Sequence, residues 1–155
     1  MDQKISSTLA HLNDQLRLLT AHWEQFSDTE LQQLPGPGRW SRKEILGHLV
    51  DSAANNHSRF VQAQITPPEP LKLQPYDQEA WVRLSAYQQL PSAELLALWA
   101  GYNRLIVHLL AQIPDSTLAT ACFSLNHNPV TLHWLIEDYV LHLEHHVRQI
   151  IHGEY

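Results

Sequence analysis

Two histidines four residues apart, His142 and His146, stand in a stretch that otherwise has helical patterning: Asp138-Tyr-Val-Leu-His-Leu-Glu-His-His-Val-Arg-Gln-Ile150. At that spacing two imidazoles stack on one helix face. Such a pair ligates a single ion in helical zinc sites, and imidazole also suits nickel, copper and iron(II). A third ligand would have to come from elsewhere in the chain. Spacing alone favours a plainer reading, in which both rings are satisfied by core hydrogen bonds or sit at a wet edge.

The helix that must position them is legible. Leu132, Leu135, Ile136, Tyr139, Leu143, Val147 and Ile150 form one apolar stripe. At about 100° per residue, His146 falls within that stripe and His142 at its edge, whereas His145 points the opposite way, into solvent. The helix should begin near Thr131 and stop at Gly153.

A second helix carries a further cluster of polar groups. Ser41-Arg-Lys-Glu44 has the form of a capping box, opening a helix that should run to about Ile65 and end at Thr66-Pro-Pro-Glu-Pro70. Along it His48, Asp51, Ser52, Asn55 and Arg59 share one stripe, opposite Leu46, Leu49, Ala53 and Phe60. Helical phase alone puts His48 on the solvent side, unless the polar stripe lines a wet cavity, and the sequence does not choose. His11, His22, His57, His108, His133 and His152 have no partner at a telling spacing and read as structural or exposed. His127, in the loop before the last helix, is a candidate for a pocket mouth.

Two more long helices complete the frame. Ile5, Leu9, Leu12, Leu16, Leu19 and Trp23 mark one over roughly residues 2–26. Pro35-Gly-Pro-Gly38 breaks the chain after it. Pro91-Ser92 opens another to about Ile113, with Leu95, Leu98, Tyr102, Leu105 and Leu109 as its expected buried face. Asp77 should cap a short helix through Ser85. Residues 66–76 and 114–129 read as extended or irregular. The sum is an all-α four-helix bundle with a long Pro-rich connection between the second and third long helices. Its topology is not fixed by these patterns.

The bulk properties narrow the function. With 155 residues the chain is expected to form a single domain, 1–155. Lys and Arg number 10 against 16 Asp and Glu, a net charge of −6, with no basic cluster, so a nucleic-acid partner is not expected. Cys122 is the only cysteine, which excludes an intramolecular disulfide and a cysteine-based zinc site. No signal peptide or membrane-spanning run stands out, and a cytoplasmic protein without membrane association is expected.

Two blocks of sequence carry a resemblance. Pro37-Gly-Arg-Trp-Ser-Arg-Lys-Glu-Ile-Leu-Gly-His-Leu-Val-Asp-Ser52 resembles the opening motif of the DinB/YfiT-like superfamily, and Tyr139-Val-Leu-His-Leu-Glu-His-His-Val-Arg-Gln-Ile150 its closing motif. The resemblance implies a four-helix bundle with a three-histidine site for a divalent metal. The family's first ligand falls on His48, and its helical pair on His142 and His146. Asp51, one turn on from His48, is placed to orient it or a bound water, a role the motif does not assign. The metals implied are zinc or nickel foremost, then iron or manganese. The resemblance further implies an enzyme acting on a small molecule, either a metal-dependent hydrolase or a transferase of a low-molecular-weight thiol, and a homodimer with Trp134 as a candidate contact. The alternative is a non-catalytic module that binds metal or a small molecule.

Overall fold

The amphipathic segments supply the frame. In the computed structural model, which describes residues 3–65 and 69–153, the helices are α1 (Gln3–Trp23), α2 (Asp28–Gln32), α3 (Arg42–Ile65), α4 (Gln78–Ser85), α5 (Ser92–Ala111), α6 (Asp115–Leu118) and α7 (Leu132–His152). The long members α1, α3, α5 and α7 form the expected four-helix bundle. α1 packs on α5 and α7, and α3 packs on the same two. So α1 stands diagonally across from α3, and α5 from α7. The links from α1 to α3 and from α5 to α7 cross the bundle end, while the Pro-rich connection joins neighbours. Thr66, Pro67 and Pro68, expected to end α3, lie outside the described residues.

Local signals explain most helix ends. The six predicted apolar residues of α1 are all buried. That helix stops at Trp23, short of residue 26, where Gln25 and Phe26 turn back to bond the carbonyls of His22 and Trp23. Ser27 and Glu30 then make a capping box that starts α2, a signal present in the sequence beside the Pro-Gly break that masks it. Asp77 caps α4 as expected, accepting from the Ala80 N–H at 3.0 Å. Thr131 caps α7 by accepting from the Trp134 N–H, and Gly153 ends it in the left-handed region at φ 68°.

The structure corrects two expectations. The buried face of α5 is Leu95, Leu96, Trp99, Ala100, Asn103, Ile106 and Leu110, whereas Leu98 and Leu105 are 49% and 47% exposed. This helix is apolar nearly all round, so a second leucine stripe competes with the true one, and bulk decides in favour of Trp99. Asn103 enters the core because the Tyr139 hydroxyl donates to its Oδ1 at 2.6 Å. The segments expected to be irregular also contain a small sheet: β1 (Leu71–Lys72) runs parallel to β2 (Ala121–Phe123), which pairs antiparallel with β3 (Pro129–Thr131). Strands of two or three residues are too short to show alternation, and they form because the bundle docks them.

Candidate metal centre

The opening block of sequence fixes where α3 meets α7. Ser41 and Glu44 exchange the two capping-box bonds, the Glu44 N–H to Ser41 Oγ at 3.1 Å and the Ser41 N–H to Glu44 Oε2 at 2.8 Å. Arg42 donates from Nε to the Ile150 carbonyl at 2.8 Å, pinning the start of α3 to the end of α7. Lys43 is buried and donates to the Gln88 carbonyl at 3.0 Å. These ties bring His48 opposite His142 and His146.

All three predicted rings meet. His48 Nε2 lies 3.3 Å from His142 Nε2, and His146 Nε2 lies 3.1 Å from the same atom. The remaining ring nitrogens point outward. His146 Nδ1 donates to Gln149 Oε1 at 2.6 Å, and His142 Nδ1 lies 3.5 Å from Ser52 Oγ. His48 Nδ1 is buried without a hydrogen-bond partner, and the Trp40 ring covers His48 at 5.0 Å between centroids. A proton on Nδ1 leaves a bare lone pair on Nε2. The bond to Gln149 therefore aims the His146 lone pair at the other two rings.

Burial of His48 reverses its helical phase. It is 1% exposed, and nearly every residue around it from Lys43 to Ala53 is buried. α3 is covered on both sides in this half, so its polar stripe faces the interior. Burial, then the charges of His146 and His142, press the His48 imidazole down to about 3. Burial, then His146 and His145, press His142 to about 4. His146 is lowered chiefly by burial. All three are thus neutral near pH 7, as ligands must be.

The other predicted groups fall elsewhere. His145 is exposed. Asp51 is buried, and its carboxylate accepts from the Tyr87 hydroxyl at Oδ1, at 2.5 Å; Oδ2 has no partner. His127 is exposed at the tip of the β2–β3 hairpin, with φ 59°. Glu144 faces His11 at 3.2 Å. His57 meets the Tyr102 hydroxyl at 3.2 Å. Three contributors escaped the sequence reading: Trp40, Tyr87 and Gln149. Trp40 and Gln149 stand inside the opening and closing motif blocks, the latter one turn beyond His146, whereas Tyr87 left no trace. Tyr87 reaches Asp51 because residue 47 is glycine: a Cβ there would stand 2.0 Å from Tyr87 Cδ2.

A cavity of about 350 Å³ opens on His146, bounded by Trp40, Glu79 and Gln149. Another of about 210 Å³ opens on His142. Small molecules can approach the rings from both.

The sequence model described as the DinB superfamily matches residues 11–150. The chain belongs to the DinB superfamily. Among its superfamily relatives, the "Putative metal-dependent hydrolase YfiT" of Bacillus subtilis (strain 168) is 27% identical over 128 residues, 82% of this chain and 71% of that protein. The solved structure of YfiT, reported to have an unusual four-helix bundle topology, superposes with a TM-score of 0.83 at 23% identity, covering 97% of this chain and 86% of that one. A mycothiol-dependent maleylpyruvate isomerase shares the fold at a TM-score of 0.67 and 11% identity. The match covers 97% of the present chain but 60% of the isomerase. A DinB-superfamily bundle thus accounts for the architecture.

Proposed function

We propose that His48, His142 and His146 hold one divalent metal ion through their Nε2 atoms, and that the protein is a metal-dependent enzyme acting on a small molecule. The observation that carries this reading is the meeting of three imidazole nitrogens at 3.1 and 3.3 Å, with the far nitrogen of His146 tied to Gln149. Lone pairs so close repel unless a cation or a proton lies between them. Burial disfavours the doubly protonated, charged form of each ring, and a single neutral N–H cannot bridge all three nitrogens, so a cation is the reading the cluster supports. An all-imidazole set suits zinc or nickel best, with iron and manganese as further candidates.

Three protein ligands leave a coordination position open, the pattern of catalytic rather than structural sites. A divalent ion held there supplies Lewis-acid chemistry, polarising a carbonyl or lowering the pKa of a water or thiol that reaches it. The chain does the rest. Trp40 and the buried half of α3 shield His48 from bulk water. Gln149 keeps the His146 proton on Nδ1, away from the substrate side.

Hydrolysis is the reading that the names of the relatives support. Transfer of a low-molecular-weight thiol is the second reading. It is supported by the fold shared with a mycothiol-dependent enzyme and by the ligand set, since neutral imidazoles leave the ion its full charge to stabilise a thiolate. A non-catalytic binding module is the contrasting case, for which a closed set of four protein ligands is expected. We further propose a cytoplasmic homodimer that uses the face of α7 bearing exposed Trp134 and Leu141. Among the described residues no helix is long and apolar enough to cross a membrane.

The test is the metal content of purified protein, measured beside His48→Ala. A stoichiometric ion lost in the variant supports the site; wild type without metal after reconstitution overturns it. Cobalt-loaded protein then separates the chemistries. A sulfur-to-cobalt charge-transfer band and thiol-dependent turnover support thiol transfer. Ester hydrolysis inhibited by thiol supports hydrolysis.

A further inference from the structure

The cavity on the His142 side has an unusual pair of charges. One wall is α3, with Ser52, Asn56 and Arg59; the other is α7, with Asp138 and His142; Tyr76 closes it. Arg59 is half-buried and spends one N–H of its five on the Gln74 carbonyl, at 2.9 Å. Asp138 stands nearer the rim. Among the described residues neither takes part in a salt bridge. Yet the two are close enough to act on each other: burial disfavours both charged forms, and each favours the charged form of the other. Opposite charges thus line one small cavity without touching.

That arrangement is poorly served by most ligands. A dianion would meet Asp138, and a simple amine would meet Arg59. A molecule that carries both charges answers both walls, and removes the cost of leaving a half-buried guanidinium without a counter-ion. The volume, about 210 Å³, suits a molecule the size of one amino acid.

We propose that this cavity is a substrate subsite for a small zwitterion of the α-amino-acid type, with its carboxylate on Arg59, its ammonium on Asp138 and its remaining group directed at His142. The planar guanidinium fork matches a carboxylate in two-point contact. Asp138 lies one turn before His142 on α7, so an amine held there sits next to the rings. The role as a substrate subsite rests on the metal-dependent reading above; binding of the zwitterion does not, and is therefore measured on metal-free protein.

The probes are L-methionine, 3-(methylthio)propylamine, which lacks the carboxylate, and 4-(methylthio)butanoate, which lacks the ammonium. Binding is followed by calorimetry and by the NMR signals of Arg59 Nε–H and the Tyr76 ring. L-Methionine should bind, and each analogue should bind roughly tenfold or more weakly, the scale of one charge-assisted hydrogen bond. Arg59→Gln should abolish the advantage of L-methionine over the amine, and Arg59→Lys should restore part of it. Asp138→Asn should abolish its advantage over the acid. Equal binding of the three probes, or no saturable binding of L-methionine, overturns the proposal. Because the probe comparison is made on wild type, it decides even if a variant fails to fold. Metal content unchanged in Arg59→Gln, with binding lost, separates this subsite from the metal centre.

Discussion

The two helices that carry the imidazoles hold them by different means. On α7, His142 and His146 are half-buried and their outer nitrogens face Ser52 Oγ and Gln149 Oε1, at 3.5 and 2.6 Å. On α3, His48 is 1% exposed, its Nδ1 has no partner, and its ring is fixed by packing under Trp40. Hydrogen bonds aim the pair, whereas enclosure aims the single ring. A hydrogen-bonded ligand can be weakened in small steps by its neighbours. A packed one responds to changes that reach the core.

Removal of a ligand is the largest test of that contrast. His48→Ala, His142→Ala and His146→Ala should each reduce bound metal from one equivalent to near none, read by mass spectrometry after dialysis. His145→Ala should retain it, since that ring is exposed and only flanks the His146 ring edge-on, at 5.1 Å between centroids. Loss in His145→Ala with retention in His142→Ala would mean that the ligands face the other way.

The hydrogen-bonded half should yield to a smaller change. Gln149→Ala leaves all three ligands in place but frees the His146 ring to rotate and to exchange tautomer. Partners of this kind are worth roughly 10–100-fold in metal affinity, so competition with a chelator should show a loss in that range. Ser52→Ala should cost less, its contact being long at 3.5 Å. An unchanged affinity in Gln149→Ala would place the orientation of His146 in packing, as for His48.

The packed half should respond through the fold. Gly47→Ala places a Cβ about where the Tyr87 ring lies. Overpacking of this kind costs about 1–3 kcal/mol, against a gain of about 1 kcal/mol from helix propensity. At this size the net loss should lower Tm by a few degrees, with the Tyr87–Asp51 bond broken. A variant of equal or greater stability would show that Tyr87 can move freely, and that α3 is less enclosed than its burial indicates.

The same contrast governs what the sequence disclosed. α7 has one buried face, so the phase of Leu135, Tyr139 and Val147 separated His146 from His145 without further help. α3 is covered on both sides around residue 48, so phase placed His48 in solvent; only the resemblance of its motif to a family pointed inward. α5 erred for a related reason, since an all-round apolar helix offers Leu98 and Leu105 as readily as Trp99 and Ile106. Tyr87 lies 36 residues from Asp51, and no local pattern connects them. The bundle and the three rings were legible because periodicity and motif carry them. The sheet, the crossing connections and the groups around the rings were not, because they arise from tertiary contact.

The last effect expected is on acid stability. His48 and His142 titrate at about 3 and about 4 in the folded metal-free protein, and His146 is also lowered. In the unfolded chain each imidazole takes its proton near 6.5. Below that pH the unfolded state binds more protons than the native one, so stability rises with pH across the window. These rings therefore contribute in full above about pH 6.5, and the contribution is lost progressively as pH falls toward about 3. Asp51 and Asp138, both raised chiefly by burial, act in the opposite sense: their folded forms bind protons more readily, so they favour the acid side and lose that contribution as pH rises. Three imidazoles outweigh two carboxyls. Urea melts of metal-free protein should show stability falling from pH 7 to 5, and the slope should flatten in His48→Gln. The hydrogen-bonded His146 ring, less enclosed than His48, should give a smaller flattening when replaced by Gln. Equal flattening would erase the distinction between the two helices, and a flat wild-type profile would mean that water already reaches all three rings.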